Sequence, residues 1–140
     1  MLKPEITGNC IAVPSNYEFL PDVDMFIEGI LRGYGADESI IADIAISVSE
    51  LVNNAIAHGN SQDSSKKVIV EINRSGDNVS ISVNDEGGGF NPNDLDDPLA
   101  EENLLKEVGR GIFIVKSLMD TVKIEPSPNG TKIIMTKSIK

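Results

Sequence analysis

Residues Ser49 to Asn60 read SELVNNAIAHGN, and this stretch decides how the rest of the chain is read. Glu50, Asn54 and His58 recur at every fourth position, with Asn53 beside Asn54. At about 100° per residue they form one line along a helix that is otherwise apolar. Polar groups near a buried face cost free energy unless the backbone or a ligand satisfies them. Wound from Asp37 to His58, the segment gathers Ile40, Ile44, Val48, Leu51, Val52 and Ala55 on one broad apolar arc. Asp43, Ser47, Glu50, Asn54 and His58 make a stripe about 80° wide beside it, by the same geometry. Ile46 and Ala57 flank the stripe on its other side. The pattern predicts a helix capped by Asp37 and ended by Gly59, whose polar stripe is the floor of a cleft. Taken alone, Glu50 and Asn54 also fit an ordinary i, i+4 surface pair. His58 alone fits a C-terminal residue facing the helix dipole.

The totals narrow the function. A chain of 140 residues is expected to be one domain spanning 1–140. Its 40% hydrophobic and 24% charged residues are globular values. A net charge of −10 argues against nucleic acid, which needs a basic stripe, and against an anionic membrane surface. An anionic ligand would have to be held by backbone amides, a metal ion and a few cations. The single cysteine, Cys10, permits no internal disulfide and reads as an unreactive thiol of a reducing compartment. One histidine without a thiol cluster argues against a zinc site. No apolar run approaches the roughly 20 residues of a membrane span, and the start, MLKPEITGNC, does not resemble a signal peptide. The expected location is the cytoplasm.

Around the opening stretch, Glu5–Val13 is a candidate strand. The segment from Ser15 to Gly35 has Phe19, Leu20, Val23, Phe26, Ile27, Ile30 and Leu31 at helical spacing, with Pro21 tolerable only near the start. KKVIVEINR and NVSISVND alternate as two strands joined by SGDN. The stretch from Phe90 to Val108 carries six acidic residues and one lysine and reads as a lid. A helix is expected to open right after Gly111, followed by a hairpin of TVKIE and TKIIMTK around PSPNG. The order predicts an α+β two-layer sandwich, with a mixed, mostly antiparallel sheet and helices on one face.

Three further segments bear on chemistry. VNDEGGGF ends a strand in Asp85, Gly87 and Gly89, where glycine lets the backbone approach a flat ligand and a carboxylate can accept from an exocyclic amine. VGRGIF places Gly109, Arg110 and Gly111 where free N–H groups of a helix start would hold phosphate. NGTKI, with Thr131, reads in isolation as a hairpin turn. Each also has an ordinary reading as a loop or hinge, and the phosphate loop G-x4-G-K-[ST] is absent.

In that order, E-x3-N, D-x-G-x-G, G-x-G and G-T, the chain resembles the ATPase superfamily of gyrase and histidine kinases. Within it the chain most resembles the anti-sigma factor serine kinases of bacterial partner-switching systems. SELVNNAIAHG is similar to their N box, NDEGGGF to their G1 box, and GRGIFIVKSLMD to their G2 box. The resemblance implies that ATP and Mg²⁺ bind here, with Asn54 as the metal ligand and Asp85 on the adenine amine. It implies that Gly87 and Gly89 shape the adenine pocket, that Gly109, Arg110 and Gly111 serve the phosphates, and that Thr131 supports the adenine end. It makes Glu50 the general base that takes a proton from a serine on an anti-anti-sigma factor. A sigma factor as second partner and a homodimer are further expectations of the family. Two rival readings stay open: an ATP-gated binding switch without transfer, and the catalytic subunit of a split histidine kinase. A hydrolase using water at the same site also fits the residues.

Overall fold

A computed structural model of the chain describes residues 3–60, 63–87 and 102–140. A short hairpin, β1 (Glu5–Thr7) and β2 (Cys10–Pro14), comes first. It replaces the single strand expected over Glu5–Val13, because Gly8 turns the chain at φ +60° and lets Thr7 pair with Cys10. Helix α1 (Leu20–Gly33) follows, with Pro21 in its first turn, where the missing N–H costs nothing. Helix α2 (Glu38–Asn54) is capped by Asp37, whose carboxylate accepts from the Ile40 N–H at 3.0 Å. A wider turn, Ala55–Gly59, extends it and closes when the Asn60 N–H donates to the Ala55 carbonyl at 2.7 Å. Wide turns of this kind collect at functional sites.

Strands β3 (Lys67–Ser75) and β4 (Asn78–Asn84) form the expected hairpin around Gly76. Helix α3 (Glu102–Leu118), β5 (Thr121–Ser127) and β6 (Gly130–Ser138) complete the chain. The strands run in the order β1-β2-β3-β4-β6-β5. Every pair among the described residues is antiparallel, so the sheet is not mixed.

The sheet alternates as its sequence does. Val68, Val70 and Ile72 of β3 and Val79, Ile81 and Val83 of β4 point into the core. They meet Ile27 and Leu31 of α1, Ile44, Val48 and Leu51 of α2, and Ile112 and Val115 of α3. Each such buried side chain contributes roughly 1.5–3 kcal/mol. Helix α2 packs against both α1 and α3, so the central helix carries the stripe. By length and composition the 22 residues Glu38–Gly59 are apolar enough to cross a membrane; half of an 18-residue stretch within them is buried, as befits the core helix of this layer.

Candidate active site

The polar stripe of α2 divides into two parts. Its upper part is satisfied by the protein: Ser47 is fully buried and donates to the Asp43 carbonyl at 2.8 Å, and Asp43 faces Lys137 Nζ at 3.7 Å. In its lower part, one atom of Asn54 is not. Asn54 is 7% exposed, and its Nδ2 is buried with no hydrogen-bond partner among the described residues. An orphaned buried amide costs on the order of 1–3 kcal/mol, which a ligand can recover. The outward face of α2 is a different line, Ala42, Ile46, Ser49 and Asn53. The lower stripe is therefore covered rather than open, and α3 covers it at Gly111. A Cβ on Gly111 would stand 2.8 Å from Asn54 Nδ2 and 3.2 Å from Glu50 Oε2. The half-buried Glu50 also borders an open groove of about 630 Å³ between α1 and α2, with Asp24, Glu28 and Ile46 on its walls.

Asp85 follows β4 and is held on three sides by backbone. Its Oδ1 accepts from the N–H groups of Gly87 and Thr131, each at 3.1 Å. Its own N–H donates to the Thr131 carbonyl at 3.0 Å. Three glycines admit this packing. A Cβ on Gly59 would run into the Asp85 carboxylate, one on Gly130 into the Asp85 carbonyl, and one on Gly87 into the Gly59 carbonyl. Burial pushes the Asp85 carboxyl above its ordinary value, against the pull of the Thr131 and Gly87 N–H groups. Thr131 is 3% exposed and its Oγ1, like Asn54 Nδ2, has no partner among the described residues. Asp85, Asn54 and His58 line one narrow cleft together with Leu51, Gly59 and Ile133.

Three expectations fall differently. Helix α3 opens at Glu102, not after Gly111, so residues 102–108 of the expected lid are helical. Gly109 and Gly111 lie inside that helix, and their N–H groups are not those of a helix start. The apolar positions 104, 105, 108, 112, 115 and 119 keep helical spacing straight through both glycines, which outweighs their poor propensity. Arg110, between them, is exposed. Gly89 and the lid residues 90–101 lie outside the described residues.

Two residues went unread in the sequence. Asn60 and Ser15, each 1% exposed, bond to one another at 2.7 Å across 45 positions. The only local signal was an asparagine directly after the helix-ending His58-Gly59.

The site fits a nucleotide with a divalent cation. Two orphaned polar atoms and a cradle that Cβ atoms would fill are the marks of a built site, and a half-turn of the Asn54 amide presents its oxygen to a cation. Among the described residues no group of three or more His, Cys, Asp or Glu side chains converges for a metal. Mg²⁺ keeps several waters and takes few protein ligands beside substrate phosphates, so one amide oxygen from Asn54 could join such a set.

Comparison with known proteins bears on the family. The profile of the family described as histidine kinase-like ATPase domain matches residues 13–137. A serine-protein kinase RsbW of Staphylococcus aureus is 31% identical over 138 residues, spanning 91% of this chain and 84% of that protein. An anti-sigma F factor of Clostridium perfringens is 39% identical over 102 residues, spanning 71% of this chain and 73% of that protein. Among solved structures, the RsbU and RsbW domains of a Mycobacterium tuberculosis protein superpose with a TM-score of 0.69 at 24% identity, covering 93% of this chain and 31% of that one. The SiaB–SiaC complex of Pseudomonas aeruginosa gives a TM-score of 0.61 at 14% identity, covering 98% of this chain and 91% of that one. At these identities the two structures speak for the fold.

Proposed function

The chain belongs to the histidine kinase-like ATPase domain family, and from that membership we propose that it is an ATP-dependent serine protein kinase of a bacterial partner-switching system. Its acceptor is an anti-anti-sigma factor. By the same likeness it sequesters a sigma factor and works as a homodimer in the cytoplasm. The observation that carries the reading is the joining of Asn54 and Asp85 in one cleft, with Glu50 one turn along α2 and bordering the neighbouring groove.

Residue roles are carried over from the family resemblance. Asp85 takes the exocyclic amine of adenine on its carboxylate, while Thr131 Oγ1 and the close-packed Gly87 complete the base end. By the resemblance, Gly89 also shapes the adenine pocket, and Gly109, Gly111 and Arg110 serve the phosphates. Asn54 holds Mg²⁺, which supplies charge neutralisation on the phosphate oxygens and offsets the repulsion between ATP and an acidic protein. Glu50 lies within one helical turn of Asn54, about 5–6 Å between Cβ atoms. Its carboxylate accepts the acceptor hydroxyl proton as that oxygen bonds to the terminal phosphorus of ATP. The bond from that phosphorus to the bridging oxygen breaks, and ADP leaves with the electron pair.

The test is transfer from γ-labelled ATP with Mg²⁺ in a lysate of the host, beside a Glu50→Ala variant. The expected result is one labelled small protein that carries phosphoserine and is absent with the variant. ATP binding with no label in either sample would replace the kinase with a nucleotide-gated binding switch.

A further inference from the structure

Asn60 uses every polar atom it has. Its N–H closes the wide turn on the Ala55 carbonyl at 2.7 Å. Its Oδ1 accepts from the Glu86 N–H at 2.8 Å. Its Nδ2 donates to Ser15 Oγ at 2.7 Å and to the Lys67 carbonyl at 3.0 Å. Ser15 in turn donates to the Lys66 carbonyl at 2.8 Å. The amide cannot be reversed, since an N–H must meet an oxygen and a carbonyl must meet a donor. One buried side chain thus joins the end of β2, the start of β3 and the residue that follows Asp85.

We propose that Asn60 is a positioning residue for nucleobase selectivity, holding Asp85 in register through the Ser15–Asn60–Glu86 chain of hydrogen bonds. This rests on the reading that Asp85 receives the base of ATP. The peptide before Asp85 is fixed by Thr131, and the Oδ1 edge of its carboxylate by Thr131 and Gly87. The peptide after Asp85 carries the Glu86 N–H, and Asn60 is its partner. Gly59, immediately before Asn60, packs against the Asp85 carboxylate, so a shift of the turn moves the carboxylate with it. Adenine presents an amine where guanine presents a carbonyl. A site built to accept from that amine discriminates by leaving the wrong base unpaired, and only while the acceptor stays in place. A fully satisfied buried network supplies that rigidity.

The experiment measures dissociation constants for Mg-ATP and Mg-GTP with wild type, Asn60→Ala, Asn60→Asp and Ser15→Ala, each with a urea unfolding curve. Wild type prefers ATP. Asn60→Ala loses about tenfold of that preference, the size of one buried hydrogen bond. Asn60→Asp keeps an acceptor for Glu86 but sets a carboxylate against the Lys67 carbonyl. It therefore loses stability like the alanine variant while keeping the preference to within about threefold. Ser15→Ala, which removes the bonds to Asn60 Nδ2 and to the Lys66 carbonyl and leaves Asn60 in place, loses about two- to threefold. An unchanged ATP:GTP ratio in Asn60→Ala, or an equal loss in Asn60→Asp, makes Asn60 merely structural and overturns the proposal. If Asn60→Ala does not fold, an unchanged ratio in Ser15→Ala overturns it. A wild type without preference for ATP overturns the adenine reading itself.

Discussion

Gly111 of α3 lies directly against Asn54 of α2, so close that a methyl group on it would stand 2.8 Å from Asn54 Nδ2. Gly109, two residues earlier on the same helix, has nothing among the described residues within 4 Å of where its Cβ would be. Alanine at the two positions should therefore act in opposite senses. Gly109→Ala gains helix propensity and raises stability by about 0.5–1 kcal/mol in urea unfolding. Gly111→Ala meets the Asn54 amide and the Glu50 carboxylate; it gains nothing or loses about 1–3 kcal/mol, and it lowers phosphoryl transfer.

Asn54→Ala removes a buried amide that the protein does not satisfy. The free protein should stay within about 1 kcal/mol of wild type, because the lost packing is offset by the lost desolvation cost. Mg-ATP affinity should fall at least about tenfold, as removal of a charge-assisted contact does. Calorimetry of the free and loaded protein separates the two effects.

Asp85→Asn tests a cost carried by the ligand-free fold. Burial raises the Asp85 carboxyl above its ordinary value, so folding favours its protonated form. That stabilising contribution is present at acid pH and is lost as pH rises through the raised value. At neutral pH the ionised group is thus a net burden, and asparagine should raise Tm, by about 2–4 °C, while weakening ATP binding. In wild type, ATP affinity should fall on acidification from a higher pH than an ordinary aspartate would give. The difference between wild type and Asp85→Asn isolates that titration from the nucleotide's own.

Ile46 is 48% exposed on the wall of the groove that Glu50 borders. A protein acceptor that brings its serine to Glu50 through this groove would cover Ile46. Ile46→Ser should change stability by no more than about 0.5 kcal/mol. It should raise KM for the acceptor protein about fivefold or more and leave ATP affinity alone. Steady-state transfer at varied acceptor concentration reads the difference.

The sequence made α2 legible because cap, apolar arc and stripe are all written within its own residues, from Asp37 to His58. The strands β3 and β4 were legible for the same reason, since alternation is local. The start of α3 was not. Glycine disfavours helix by about 1 kcal/mol against alanine, so Gly109 and Gly111 read as a boundary. The contact that makes Gly111 necessary comes from Asn54, 57 residues away in the chain. The link from Asn60 to Ser15 spans 45 positions and leaves no periodic trace. The stripe itself was half legible: its polarity was plain, but that Lys137 pairs with Asp43 and leaves the Asn54 amide orphaned depends on where β6 and α3 pack.

The most direct test of the kinase reading is Glu50→Gln, which keeps shape and hydrogen-bonding capacity and removes only the base. Single-turnover transfer from γ-labelled ATP to the acceptor serine, measured beside ATP affinity, should slow by about 10²–10⁴-fold with affinity unchanged. Transfer at the wild-type rate in Glu50→Gln would contradict the assignment of Glu50 as the base and, with it, the placing of the reaction where the Asn54 cleft meets the groove that Glu50 borders.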